Sequence, residues 1–306
     1  MTTTLLSTVQ RYVTTHADPN GIAQTPVPGL TTIHATVPSE LGYAISRPLV
    51  CLVLQGTKRV AMGNQNFIFS AGDSLLITAD VPTVSQVTQA SIETPYLSLV
   101  LDLDPAVIAD LSMHMKSAPA EDDLPVKKQP TDAEVTDAAL RLMRLLDRPE
   151  SVAILHTQLL RELHYWLLAG RHGDAIRRLG WPDGQVQRVA RAVAILRADF
   201  AQTLPVDRLA AVAGMSSSSF YHHFRAVTSL SPRQFQKQLR LIEARRLMIS
   251  QGMTASSAAF AVGYESVSQF NREYGRMFSL PPGRDIEMTK NIMEVKSSLT
   301  QSRSYR

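Results

Sequence analysis

Four groups of side chains in this 306-residue sequence have types that do chemistry elsewhere: the pair His222-His223, the run Gly56-Thr57-Lys58, the single cysteine Cys51, and a cationic surplus near the C-terminus. A metal centre needs several imidazole, thiolate or carboxylate ligands that converge on one point. Adjacent residues on a helix point about 100° apart, so His222 and His223 do not converge. His34 is the only histidine between residues 30 and 103, where a barrel-type centre would gather several. We therefore expect no metal and no cofactor. Gly56-Thr57-Lys58 resembles the end of a phosphate loop but lacks the upstream glycine spacing, which leaves Lys58 as an ion pair or an anion contact. Cys51 can form no internal disulfide and fits a reducing cytoplasm. It reads as a small buried residue, because no cationic cluster nearby in sequence would depress its thiol. No nucleophile triad signature appears, and an enzyme is not expected.

Charge separates the chain into two parts. Residues 1–182 hold 14 Lys+Arg and 18 Asp+Glu, residues 183–286 hold 13 and 7, and residues 287–306 hold 4 and 2. An acidic front joined to a basic back suggests a sensor or assembly module attached to a part that meets a polyanion.

The elements that must position these groups follow from periodicity. Leu5 to His16 has helical spacing and ends at the breakers Asp18-Pro19-Asn20-Gly21. From Leu30 to Leu103 short apolar runs are punctuated by turn residues, the pattern of a small sandwich or barrel. Beyond Pro105 the texture turns helical: Ala106–Met115, a loop over Ala118–Thr131, then helices over Asp132–Leu146 and Ser151–Leu168. We expect the last two to form a dimer seam rather than only a cover for the barrel. The run Trp181-Pro182-Asp183-Gly184 predicts a boundary turn. No apolar run approaches the roughly 20 residues of a membrane-spanning helix, and the N-terminus lacks the pattern of a secretion signal.

The basic part contains an internal repeat. Ala210, Gly214, Phe220 and Phe224 recur as Ala259, Gly263, Phe270 and Tyr274, and Ser229-Leu230-Ser231-Pro232 recurs as Ser279-Leu280-Pro281-Pro282. Each copy predicts helix, tight glycine turn, helix: Val206–Ala213 then Ser216–Val227, and Ala255–Val262 then Ser266–Phe278. The small residue four before each glycine lets the helices cross closely, and the aromatic pair at i, i+4 buries the second helix. This is helix-turn-helix logic, and such a unit offers the start of its second helix to a DNA major groove.

With its two units and the intervening helix Pro232–Ser250, which carries Arg240-Leu241, Ala244 and Leu247, the region from about 184 to 284 resembles the DNA-binding domain of the AraC/XylS family of bacterial transcription regulators. The front part resembles the β-rich N-terminal domain of one branch of that family through Arg47-Pro48, Cys51 to Lys58, Gly72-Asp73 and Pro95-Tyr96-Leu97. The resemblance implies that bases are read by Ser217, Ser218, Tyr221 and His222 in the first unit and by Ser268, Gln269 and Arg272 in the second. Arg272 suits guanine O6/N7 and Gln269 suits adenine. Arg225, Arg233, Lys237, Arg276 and the helix N-termini would hold phosphates. Arg47, Cys51, Gln55 and Lys58 are the groups expected at an effector pocket. Two positions depart from the family: Ser229 and Ser279 stand where glycine is common, so these helix ends are expected to cap differently, and Asp285-Ile286 stands where a tyrosine-arginine pair is common, which puts the last backbone anchor in doubt.

The expected fold class is α+β: an N-terminal cupin-like β-barrel with flanking helices and a C-terminal all-α domain of two helix-turn-helix units joined by a long helix. The expected domains are an arm over 1–28, a barrel sensor over 29–105, a helical cover or dimerisation region over 106–180, the DNA-binding domain over 184–286 and a disordered tail over 287–306. The expected function is a cytoplasmic, sequence-specific transcriptional regulator, an activator that works with RNA polymerase as a homodimer on double-stranded promoter DNA and answers to a small-molecule effector. Two rivals predict different observations. A cupin-type enzyme fused to helices would bind iron or zinc and turn over, and a ligand-independent scaffold would use its barrel only to dimerise.

Overall fold

The computed structural model describes residues 3–63, 65–115, 125–181 and 184–301. The chain divides into two compact units, one running to Ala190 with Val227–Ser229 and the other taking Arg191–Ala226 and everything from Leu230.

The first unit opens with α1 (Leu5–His16), β1 (Ile22–Gln24), β2 (Leu30–Ala35), β3 (Gly42–Ser46), β4 (Leu49–Gln55), β5 (Thr57–Met62), β6 (Gln65–Ser70), β7 (Asp73–Ile77), β8 (Val81–Gln89) and β9 (Tyr96–Asp102). It continues through α2 (Pro105–Ser112), β10 (Val126–Pro130), α3 (Ala133–Leu145), α4 (Pro149–Ala169) and α5 (Gly173–Gly180). The strands form a six-stranded sheet, β1-β2-β9-β4-β7-β10, and a four-stranded sheet, β3-β8-β5-β6. Every recorded pairing is antiparallel.

Side-chain alternation explains why β4 reads as a continuous apolar run. Val50 and Leu52 join Leu76, Leu97, Leu99 and Leu101 in one core, together with Val9 of α1, Ile108 of α2, Leu142 of α3, Leu167 of α4 and Ile176 of α5. Their neighbours Cys51 and Val53 join Leu75, Tyr96, Val60 and Phe69 in a second core between the sheets. A sheet covered on both faces needs apolar residues at every position of its central strands.

The α+β class stands, with corrections of detail. The stretch expected as a loop over 118–131 ends in strand β10, which pairs along β7 from Val126↔Ile77 to Pro130↔Asp73; the acidic residues Glu121, Asp122 and Asp123 lie outside the described residues. The helices expected as a dimer seam bury their main apolar stripe, Val135, Ala139, Leu142, Leu163 and Leu167, against the sheet. Ile154, Leu155 and Tyr165 stay exposed on α4. The division between units falls inside α6 (Gln185–Ala198), not at the turn after Trp181, where Pro182 and Asp183 lie outside the described residues.

After α6 the second unit contains α7 (Val206–Ala213), α8 (Ser217–Thr228), α9 (Pro232–Gln251), α10 (Ala255–Ala261), α11 (Val267–Phe278) and α12 (Pro282–Gln301). The tail expected as disordered is helical to Gln301, with residues 302–306 outside the description. Its start is anchored: the Arg245 guanidinium and the Thr289 hydroxyl both bond within the first turns of α12, and no Pro or Gly follows Gly283 to break the helix.

Candidate nucleic-acid interface

Each repeat is closed by a left-handed glycine. Gly214 has φ +63° and lets Met215 donate its amide to the Ala210 carbonyl at 2.9 Å. Gly263 has φ +85°, and a Cβ there would lie 1.9 Å from the Ala201 carbonyl oxygen, so no other residue fits. Arg240 fixes that approach from α9. Its Nε donates to the Phe200 carbonyl at 2.7 Å, Nη1 to Gly263 at 2.9 Å, and Nη2 to Ala201 and Gln202 at 3.2 and 3.0 Å.

The second helix of each repeat starts on a serine. Ser216 accepts from the Ser219 amide at 3.3 Å and Ser266 from the Gln269 amide at 3.4 Å. Phe220 and Phe224 bury the inner face of α8, and Phe270, Tyr274 and Phe278 that of α11. This spacing turns Ser217, Ser218, Tyr221 and His222 outward on α8, and Ser268, Gln269 and Arg272 outward on α11, all exposed. Their states differ. The Ser217 hydroxyl donates to Asp207 of α7, whereas Tyr221 and His222 make no hydrogen bond among the described residues. Gln269 Nε2 contacts Glu273 Oε1 at 3.4 Å. The guanidinium groups of Arg225, Arg233, Arg272 and Arg276 are exposed with no ion pair among the described residues, and Lys237 is half-buried. Helix α9 begins with a reciprocal cap, in which Ser231 Oγ accepts from the Gln234 amide at 3.3 Å and the Gln234 side chain accepts from the Ser231 amide at 3.0 Å.

Both departures from the family find an explanation. Ser229 and Ser279 each have φ +63°, so the helix ends adopt the left-handed geometry that glycine would take without strain; they do not cap differently. Asp285 is an anchor that sequence reasoning missed. Its Oδ2 accepts from Tyr274 Oη at 2.6 Å and from Arg245 Nε at 2.7 Å, and its Oδ1 accepts from Arg245 Nη2 at 3.1 Å. The Arg245 guanidinium also lies 5.5 Å over the Phe278 ring. Burial first, and then the bond to Asp285, raise the Tyr274 phenol above its ordinary range, so it stays a donor. Helices α9, α11 and α12 are thereby tied at one buried ion pair. A deeper reading of the repeat, asking which buried aromatic carried a hydroxyl that needs a partner, would have pointed to it.

The expected effector groups do not converge. Arg47 precedes β4 at the end where Leu49 pairs with Asp102, while Gln55 pairs with Leu97 at the other end, roughly 20 Å away for a seven-residue strand. Gln55 Nε2 donates to the Pro95 carbonyl at 2.9 Å and is a structural tie. Cys51 is buried on the inner face of β4. Lys58 lies on the same face of β5 as buried Val60 and Met62, opposite Phe69 and Val87, and makes no ion pair among the described residues. Between the sheets the structure adds two groups that sequence reasoning missed, Tyr96 and Ser98 of β9, both 0% exposed. The Tyr96 hydroxyl lies beside Ser98 and the Cys51 thiol, and neither hydroxyl makes a well-formed hydrogen bond to any other described group. Burial foremost, and then the nearby Cys51 thiol, push the Tyr96 phenol well above its ordinary range.

Two family profiles match the sequence: "AraC-type transcriptional regulator N-terminus" over residues 26–175 and "Helix-turn-helix domain" over residues 209–287. The regulator GbdR of Pseudomonas aeruginosa is 27% identical over 95 residues, 31% of this chain and 26% of GbdR. The virulence regulon transcriptional activator VirF of Yersinia enterocolitica is 25% identical over 148 residues, 47% of this chain and 52% of VirF. The chain thus spans about a quarter and about half of these relatives' lengths. Among solved structures, wild-type ToxT from Vibrio cholerae bound to unsaturated fatty acid superposes with a TM-score of 0.54 at 9% identity, over 84% of this chain and 93% of that one, a likeness of fold.

Proposed function

Because this chain belongs to the AraC family of transcriptional regulators, we propose that it is a sequence-specific DNA-binding regulator whose two helix-turn-helix units read successive major grooves of a promoter. One observation carries the reading: α8 and α11 each set an exposed polar strip on a buried aromatic stripe, behind the same left-handed turn. Tyr221, His222, Gln269 and Arg272 supply most of the base reading, with Ser218 and Ser268 adding less and Ser217 engaged with Asp207. Arg225, Arg233, Lys237 and Arg276 hold phosphates, and the two reading helices address grooves about 34 Å apart. The protein works as an activator alongside RNA polymerase in the cytoplasm, where its DNA is, and performs no catalytic turnover. No helix among the described residues is long and apolar enough to cross a membrane.

The first unit senses a small molecule and joins two copies. What favours sensing over a barrel that only assembles dimers is the polar group set inside it: the Tyr96 and Ser98 hydroxyls are buried with only each other and the Cys51 thiol as polar neighbours among the described residues, and a ligand would offer them better partners. Lys58 on the same interior supplies a cation, so an organic anion is the class we assign; ToxT, of the same fold, binds an unsaturated fatty acid. Exposed Ile154, Leu155 and Tyr165 on α4 form the seam between copies.

Titration of the protein against its own upstream intergenic DNA at several salt concentrations tests the central reading. Specific binding with a steep salt slope supports it. Binding indifferent to sequence, with and without cell extract as an effector source, would refute it.

A further inference from the structure

Gln269 is the end of a chain of contacts that starts inside the second repeat. Tyr264 follows the Gly263 turn and is buried, its ring edge-on to Phe270 with centroids 5.3 Å apart. Its hydroxyl donates to Glu273 Oε2 at 2.8 Å. The other carboxylate oxygen, Oε1, faces Gln269 Nε2 at 3.4 Å. Burial, followed by the bond to Glu273, raises the Tyr264 phenol, so this hydroxyl stays a donor at all working pH values. The charge of Glu273 also lies within the field of Arg240, whose guanidinium holds the Gly263 carbonyl at 2.9 Å.

The chemistry of these groups decides what Gln269 can present. A carboxylate only accepts, so Glu273 can hold only the amino end of the amide. With that end held, one remaining N–H stands beside the carbonyl oxygen, a donor and an acceptor in fixed order. Adenine offers the matching acceptor N7 and donor N6 in the major groove, whereas guanine offers two acceptors, N7 and O6. An unheld glutamine amide can turn over and sample several rotamers, and it discriminates less. A fixed negative charge beside the amide further disfavours the all-acceptor edge of guanine. Resting on the reading of Gln269 as a base reader, we propose that Glu273, held by Tyr264, is a specificity-determining positioning residue that fixes the Gln269 amide for adenine over guanine.

The test uses the full-length protein and a panel of operators in which each base pair met by the second unit is changed in turn. Gln269→Ala identifies the base pair that Gln269 meets and lowers the adenine preference there by about tenfold. Glu273→Ala and Tyr264→Phe then relax the same base pair by a comparable factor, leave the others within about twofold, and add nothing in combination with Gln269→Ala. Glu273 is part-exposed, so its alanine variant keeps the fold even if Tyr264→Phe weakens it. Uniform weakening at all base pairs in Glu273→Ala, or an intact preference at the Gln269 position, overturns the positioning role alone. A Gln269→Ala variant that changes no position overturns the base-reader assignment and the positioning role with it.

Discussion

Removing the Asp285 carboxylate should unlock the second unit while leaving the first untouched. Asp285→Ala leaves the Arg245 guanidinium, whose side chain is 21% exposed, without its counter-ion and leaves the Tyr274 hydroxyl without an acceptor. Breaking one side of a buried pair typically costs about 3–5 kcal/mol. Arg245 keeps its bond to Thr289 at 3.2 Å and some contact with water, which places the expected loss near the low end, about 3 kcal/mol. Asp285→Asn keeps one oxygen to accept from Tyr274 and Arg245 Nε but loses the charge and turns an amide donor towards Arg245 Nη2, so it should cost less than the alanine change, about 1–3 kcal/mol. The double change Arg245→Met/Asp285→Leu removes both ions and should cost less than Asp285→Ala. Urea unfolding separates the units, because both tryptophans, Trp166 and Trp181, belong to the first. Tryptophan fluorescence should hold its midpoint while the helical circular-dichroism transition moves to lower urea. A double variant less stable than Asp285→Ala, a loss below about 1 kcal/mol, or an equal shift in tryptophan fluorescence would refute the argument.

Three other expectations follow from the same structure. Ser279→Gly should stabilise the second unit by about 0.5–1 kcal/mol, because a left-handed φ of +63° strains serine and not glycine, with the gain of relief partly offset by the freer unfolded chain; a lower urea midpoint would contradict this. His172 is buried, with Nε2 2.8 Å from Ser74 Oγ and Nδ1 unpartnered. Burial first, then Lys127, lower its pKa from 6.5 to about 4, against opposing effects of Asp132 and Ser74. The unfolded chain therefore binds the proton first, so stability is full above pH 6.5 and falls as pH drops towards 4, by up to about 3 kcal/mol. His172→Gln should flatten that slope in tryptophan-detected urea titrations at pH 4 to 7, and an unchanged slope would exclude His172 as the source. In DNA titrations, Arg272→Ala should relax one base pair by about 1–3 kcal/mol, whereas Arg276→Ala should weaken all sequences alike and lower the salt slope by about one; the reverse pattern would exchange their roles.

How much of this was legible in the sequence depends on how local the cause is. The two repeats were, because each needs a small residue, a left-handed turn and two aromatics one helical turn apart, all within one short segment: α7 starts and ends at Val206 and Ala213 as its spacing predicts. The outward direction of Tyr221, His222, Gln269 and Arg272 follows from Phe220 and Phe270 pointing inward. Strand β10 was not legible. Val-Lys-Lys-Gln-Pro has no strand signature, and it is held at the sheet edge by β7 and by Lys128, which pairs with Asp73 at 2.8 Å and donates to the Ile68 carbonyl at 2.7 Å. Asp285 was half legible: the repeat buries Tyr274 and so calls for an acceptor for its hydroxyl, but the acceptor and the Arg245 that pairs with it come from other helices. In the barrel, shifts in register after Val53 and between Thr57 and Lys58 break the simple alternation, so which of Arg47, Cys51, Gln55 and Lys58 share a face was not legible.

The two repeats are alike in backbone and unlike in how their readers are supported, and this difference bears on specificity. In α8 the one polar tie recorded among the exposed readers runs from Ser217 to Asp207, and it occupies a short side chain that reads little. Tyr221, 47% exposed, has no such tie and keeps its rotamer freedom until it meets DNA. In α11 the helix is fixed by the Tyr274–Asp285–Arg245 contact, and Gln269 is oriented by Glu273 and Tyr264. Ordering a long side chain on binding costs about 0.5–1.5 kcal/mol, so a pre-set reader loses less of its base contact to entropy than a free one. The second unit should therefore supply the sharper sequence preference and the first the more adaptable one. Substituting base pairs across the whole site measures this directly: a larger mean loss per base pair under the first unit than under the second would show that support of the readers does not set the division of labour.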